Sequence, residues 1–213
     1  MTSSQLIHLK PDTAPIFWWL VICACVIYGM ILLGGVTRLT DSGLSMVDWK
    51  PIMGIIPPLS ENGWQEMFLK YQKYPEYKKT NFEMTLSEFK PIFMYEYLHR
   101  ILGRIIGIIF FIPLLYFTLR KAIPLVLIPR LYLLLILGGF QGVLGWYMVK
   151  SGLVDDPNVS QYRLTAHLGM AVFIYSLILW TVFDLSLNYN HAIRSRIKWM
   201  SSTLTLLIFL MID

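Results

Sequence analysis

The sequence predicts an all-α integral membrane protein. It is a four-helix transmembrane bundle of two similar hairpins, with a long outer loop and the start of a truncated fifth helix. Three observations predict it. The 213 residues are 56% hydrophobic, and the mean hydropathy is +0.57, both above the range of ordinary soluble domains. Long apolar runs, each sufficient to cross a hydrocarbon layer of about 30 Å, recur along the chain. Most Lys and Arg residues lie at the ends of those runs, where they orient a membrane protein and meet anionic lipid. The net charge of +5 therefore does not indicate nucleic acid, and no basic groove with interleaved aromatic residues supports one.

Residues 1–15 form a polar amino-terminal segment. The apolar run 16–36 is too long for a signal peptide and lacks a small-x-small cleavage site, so it reads as the first transmembrane helix. Cys23 and Cys25 stand two residues apart and face different sides of that helix, so no disulfide is expected between them. The absence of C-x-x-C-H excludes covalent c-type haem attachment.

The outer loop, 39–90, is polar and rich in Pro, Gly, Trp and Tyr. Asp48-Trp49-Lys50-Pro51 and Gly54-Ile55-Ile56-Pro57-Pro58 lie in it. Its Trp and Tyr rings favour a folded lid at headgroup level. A short helix is expected over 61–74. Thr85-Leu86-Ser87-Glu88 matches a capping box and predicts a second short helix leading into the membrane.

Pro91 suits the first turn of the second transmembrane helix, 93–119, with a kink expected near Pro113. The third helix is expected over 123–149 and the fourth over 161–187. The four-helix half thus runs from 16 to 190. Residues 191–213 contain a basic loop and an apolar run from Trp199 that is too short to span, which predicts a truncated fifth helix. The basic segments at Arg120-Lys121 and Arg194 to Lys198 place the amino terminus in the cytoplasm.

An internal repeat supports the two-hairpin reading. Leu32-Leu33-Gly34-Gly35, followed by Ser42-Gly43-Leu44, matches Leu137-Gly138-Gly139, followed by Ser151-Gly152-Leu153. Each hairpin then carries one histidine near the outer end of its second helix. Membrane sites are often built where such repeats meet.

Tyr95-Glu96-Tyr97-Leu98-His99-Arg100-Ile101-Leu102-Gly103-Arg104 concentrates charge inside an apolar run, where ionisable groups are functional candidates by default. His99 and His167 each lie six residues from the expected outer end of a helix, about 9 Å deep. Two imidazoles at matched depth can face one another in a bundle and bind iron, copper or zinc. The glycine faces Gly103/Gly107 and Gly138/Gly142/Gly145 fit a flat macrocycle better than a bare ion, although small residues also simply let helices approach. Haem iron takes axial histidine, whereas zinc wants further ligands. Arg38, Arg100 and Arg163 suit carboxylates such as propionates. Gln141 lies at similar depth and is a candidate for a hydrogen bond to the ligand or to another helix. Glu96, one turn outward from His99, is placed for proton movement or for stabilising positive charge at the ligand edge. The plainer alternative is a structural pair with Arg100 or Arg38.

Several strings resemble haem A synthases of the mitochondrial and alphaproteobacterial type. They are Gly34-Gly35-Val36-Thr37-Arg38-Leu39-Thr40-Asp41-Ser42-Gly43-Leu44, Tyr95-Glu96-Tyr97-Leu98-His99-Arg100, Gln141-Gly142-Val143-Leu144-Gly145-Trp146 and Gln161-Tyr162-Arg163-Leu164-Thr165-Ala166-His167. The resemblance implies eight transmembrane helices in two similar halves, and oxidation of a haem O methyl group to the formyl of haem A for cytochrome oxidase. It places the haem O substrate in this half, with His99 and His167 on the iron and Glu96 as the catalytic carboxylate. A haem b cofactor is implied in a second half that this sequence lacks. Membrane lipid, haem O synthase, an electron acceptor and a further copy of the chain are the partners expected. The location implied is the bacterial inner membrane, or the mitochondrial inner membrane in a eukaryote. The competing expectations are a bis-histidine, cytochrome b-like electron carrier and a non-enzymatic assembly or transport protein that docks through its outer loop.

Overall fold

A computed structural model describes residues 13–47, 56–152 and 159–186, with side chains of 151 and 152 excepted. Calls on 48–55, on Asp155-Asp156 and on the basic loop and fifth helix lie outside these residues. Among the described residues every regular element is a helix, without a strand: α1 (Ala14–Leu39), α2 (Glu61–Tyr71), α3 (Pro75–Lys79), α4 (Leu86–Leu119), α5 (Ile128–Gly152) and α6 (Gln161–Ser186). Of these, α1, α4, α5 and α6 are long and apolar enough to cross a membrane.

The helices form where the residues dictate, with three departures from expectation. First, α4 begins at Leu86 rather than 93. Thr85 and Glu88 make the capping box: the Thr85 amide donates to Glu88 Oε2 at 2.8 Å and the Glu88 amide to Thr85 Oγ1 at 3.4 Å. The expected short leading helix and the membrane helix are thus one, running on through Pro91. Second, the loop contains α3 as well as α2. Ser60 caps α2 by accepting from the Gly63 amide at 3.1 Å, and Pro75 occupies the first turn of α3. Third, α5 starts only at Ile128, after Pro124, with Pro129 tolerated in its first turn.

Both α1 and α4 end in the same way. Asp41 (φ 47°) and Lys121 (φ 52°) adopt the left-handed conformation. The following amides, Ser42 and Ala122, reach back to Thr37 O and Phe117 O at 2.9 Å each. That is the Schellman closure, normally made by glycine.

The chain divides into two compact units. One holds residues up to Ile27, Ile106–Gly139 and those from Val172 onward. Its core includes Leu20 of α1, Leu114 of α4, Leu131 of α5 and Ile178 of α6. Pro113 lacks an amide hydrogen, which leaves the carbonyl of Ile109 without its usual helical donor. The indole Nε1 of Trp19 donates to that carbonyl at 2.9 Å. Arg130 and Asp184 pair at 2.7 Å and tie the start of α5 to the end of α6.

The other unit, Tyr28–Ile105 with Phe140–Ala171, contains the loop and the candidate site. Here the loop has its own core. Phe68 and Tyr71 of α2 pack on Phe89 and Phe93 of α4, ringed by Met46, Trp64, Tyr77 and Met84. Each aromatic ring so buried contributes on the order of 2 kcal/mol. The loop is therefore a folded element built on the extension of α4.

Candidate functional site

The unit containing the loop places the two histidines against glycines. His99 on α4 lies beside Gly34 of α1, where a Cβ would meet Nε2 at 3.3 Å. His167 on α6 lies beside Gly145 of α5, where a Cβ would meet Cε1 at 2.9 Å. A methyl group at either position would crowd the imidazole, so glycine here provides room for the ring. Both histidines belong to the same compact unit.

Gly34 and Gly145 each lie against the histidine of the same hairpin. Gly138 and Gly139 have nothing within 4 Å of an added Cβ, nor do Gly142 and Gly107. Counted from the helix starts, the two histidines lie at different positions. His99 lies thirteen residues beyond Leu86 and His167 six beyond Gln161. The glycine contacts, not the helix ends, relate the two.

Two polar atoms at the His167 position lack hydrogen-bond partners among the described residues. His167 Nδ1 is buried without one, as is Gln141 Oε1. The Gln141 amide nitrogen donates to the His167 carbonyl at 3.0 Å, which fixes the glutamine beside the ring. A histidine with a buried nitrogen unserved, next to a buried acceptor, is a donor set that a haem ligand can complete. Among the described residues no group of three or more His, Cys, Asp or Glu gathers as a metal cluster, so the imidazoles suit a metal that arrives within a larger ligand.

Glu96 is 3% exposed and heavily engaged. Its Oε2 accepts from Ser45 Oγ at 2.8 Å and from the Met46 amide at 2.7 Å. Its Oε1 accepts from Arg100 Nη2, four residues on. The same Arg100 nitrogen donates to the Met46 carbonyl at 2.9 Å. Three of the roughly four acceptor positions of a carboxylate are filled. The Arg100 pair weighed from the sequence is present, whereas Arg38 pairs with Asp41 at 3.1 Å on the surface. Exposed pairs of that kind are worth little and exchange readily. Arg163 stacks over Tyr147, 4.7 Å from its ring centroid. Arg100 is thus committed inside the site, while Arg38 and Arg163 remain at its edge.

Sequence reasoning missed Ser45 and Met46 as anchors of Glu96. The available signal was Ser42-Gly43-Leu44-Ser45, small polar residues around a leucine in a loop. Ser42, Leu44 and Ser45 are all buried.

Helices that can span a membrane, with two histidines set against glycines and a buried Glu–Arg pair in one compact unit, define an integral membrane helical protein. The cytochrome oxidase assembly protein family (COX15-CtaA) matches residues 17–213, and the chain belongs to it. It is 52% identical over 203 residues to a heme A synthase of Nitrosospira multiformis, covering 93% of this chain and 57% of that protein. Against heme A synthases of Nitrosomonas eutropha and Parvibaculum lavamentivorans it is 48% and 46% identical, covering 93% and 92% of this chain and 57% of each relative. The chain thus spans a little over half the length of these relatives. No solved structure matches it.

Proposed function

We propose that this chain is the haem O-binding half of a haem A synthase, an oxidoreductase that converts a methyl group of haem O to a formyl. Similarity to heme A synthases over more than nine-tenths of the chain supports this. The observation that carries it is the pair of imidazoles seated on Gly34 and Gly145 in one compact unit. His99 and His167 supply nitrogen ligands to the iron of the porphyrin. Arg38 and Arg163 exchange weak partners for the propionates. Gln141 offers its unserved oxygen to a donor on the substrate. Glu96, with Arg100, holds a fixed negative charge beside the macrocycle edge. Its remaining acceptor position stabilises positive charge developing at the methyl carbon, or takes a proton from an attacking water.

The protein lies in a bacterial inner membrane, amino terminus in the cytoplasm and folded loop on the opposite side. Haem O synthase supplies the substrate, a membrane electron acceptor removes the electrons, and a haem b site and further helices belong to the other half. The protein can also associate with copies of itself.

One observation favours the electron-carrier reading. Glu96 already has three donors, as a purely structural carboxylate would. Glu96→Gln in the whole protein separates the two. The synthase reading expects bound haem to be retained, the loop to stay folded and haem A to disappear from the extracted pigment. Normal haem A yield from this variant would sink the catalytic role. Haem B as the sole extractable pigment, with haem O supplied, would establish the carrier.

A further inference from the structure

The donors around Glu96 are shared unevenly between its two oxygens. Oε2 accepts from Ser45 Oγ at 2.8 Å and from the Met46 amide at 2.7 Å. A carboxylate oxygen offers about two acceptor positions, so Oε2 is full. Among the described residues Oε1 accepts from Arg100 Nη2, which leaves one of its positions open. Residue 46 closes the arrangement into a ring. Its amide donates to Oε2, and its carbonyl accepts from the same Arg100 nitrogen at 2.9 Å. That nitrogen carries two hydrogens. One is used on Oε1 and the other on the Met46 carbonyl.

Left to itself, a glutamate carboxylate turns readily, because its last torsion is broad and roughly two-fold. In this ring a half-turn would exchange the two oxygens and break the contacts to Ser45, Met46 and Arg100 together. Ser45 contributes the hydroxyl of the ring. Its Oγ has one proton and lies near three acceptors: Glu96 Oε2, the Ser42 carbonyl at 3.0 Å and the Ile92 carbonyl at 3.2 Å. An ionised carboxylate is the strongest acceptor of the three and takes the proton. Ser45 is 1% exposed, so bulk water does not compete for it.

The geometry points to Ser45 as a positioning residue of the proposed reaction: with the Met46 amide it closes Oε2, so that Oε1 is the oxygen of Glu96 that meets the methyl group or its attacking water. Arg100 balances the charge of the carboxylate, and Ser45 sets its direction. The hydroxyl acts through Glu96 and does not touch the substrate. The assignment to the reaction rests on the catalytic role of Glu96 proposed above. The seat of the carboxylate does not.

Ser45→Ala in the whole protein frees one position on Oε2 and tests the seat. The control is Ser42→Ala, which removes a likewise buried hydroxyl from the same loop, one that pairs with Thr40. Infrared spectroscopy with isotope-labelled glutamate reads the carboxylate stretch, and the Glu96 band is identified by its loss in Glu96→Gln. That band should shift in Ser45→Ala and stay in place in Ser42→Ala. Haem methyl oxidation is the second measurement. Lost direction at the reacting oxygen should lower kcat roughly 10- to 100-fold in Ser45→Ala, with KM and bound haem unchanged, and leave Ser42→Ala near the unsubstituted rate. A Glu96 band unmoved in Ser45→Ala overturns the seat. Equal losses of kcat in the two variants, or a rise in KM that accounts for the loss in Ser45→Ala, overturn the positioning role. If Glu96→Gln still yields haem A, the catalytic reading of Glu96 fails, and an infrared shift confined to Ser45→Ala still supports the seat.

Discussion

Gly145→Ala is the sharpest test of the histidine seat. The added Cβ would lie 2.9 Å from Cε1 of His167 and 3.5 Å from both ring nitrogens. Ordinary carbon contacts begin near 3.5 Å, so the ring must retreat by roughly 0.5 Å or the helices must part. Forcing one methyl into such a contact costs about 1–3 kcal/mol. If that cost falls on the ligating position of the imidazole, haem affinity drops by roughly 10- to 100-fold. Gly142→Ala is the matched control, one turn away on the same helix with nothing within 4 Å of the new methyl. The assay is a titration of purified protein with haem in detergent, followed by the absorption spectrum. Gly145→Ala should show weaker binding and loss of the six-coordinate, low-spin spectrum, while Gly142→Ala matches the unsubstituted protein. Equal affinity and equal spectra for both variants would refute the idea that Gly145 exists to seat His167.

Three further outcomes follow from the fold. Trp19→Phe strips the donor from the Ile109 carbonyl and should cost about 1–3 kcal/mol; in a Pro113→Ala background the restored helical amide takes its place, and thermal unfolding should show the loss largely gone. Lys121→Gly relieves a left-handed φ of 52° and should stabilise by about 1 kcal/mol, read as a rise in Tm. The loop should loosen as pH rises. Burial raises Glu76 of α3 in the folded state, so its contribution is complete below its ordinary value of 4.5 and is lost as pH climbs through about 7. The loss amounts to about 3 kcal/mol. Proteolysis of the loop should therefore be faster at pH 8.5 than at pH 5.5, and Glu76→Gln should abolish the difference.

The spans were legible because membrane hydropathy is a local property of the chain. Residues 16–36 and 161–187 anticipated α1 and α6 to within a few positions. The capping box at Thr85 was legible too, being a four-residue pattern. What it began was not: Pro91 suggested a boundary, yet the aromatic core of Phe68, Tyr71, Phe89 and Phe93 holds that segment in the same helix. The repeat could not say which glycine lies against a histidine, because glycines look alike in one dimension. Only the histidine ring distinguishes Gly145 from Gly138. Glu96, His99 and His167 stood out as polar residues within apolar runs. The anchoring of Glu96 by Ser45 and Met46 joins residues about fifty positions apart in the chain, and no local pattern encodes such a contact.

The proline in α4 bears on how the protein is made. In isolation, α4 would expose the Ile109 carbonyl to hydrocarbon, where an unsatisfied backbone oxygen costs several kcal/mol. Trp19 removes that cost only once α1 lies alongside. The two helices therefore enter lipid most favourably as a joined pair. The indole acts as a registration pin, since sliding α1 along α4 by a single turn would separate donor from acceptor by about 5 Å.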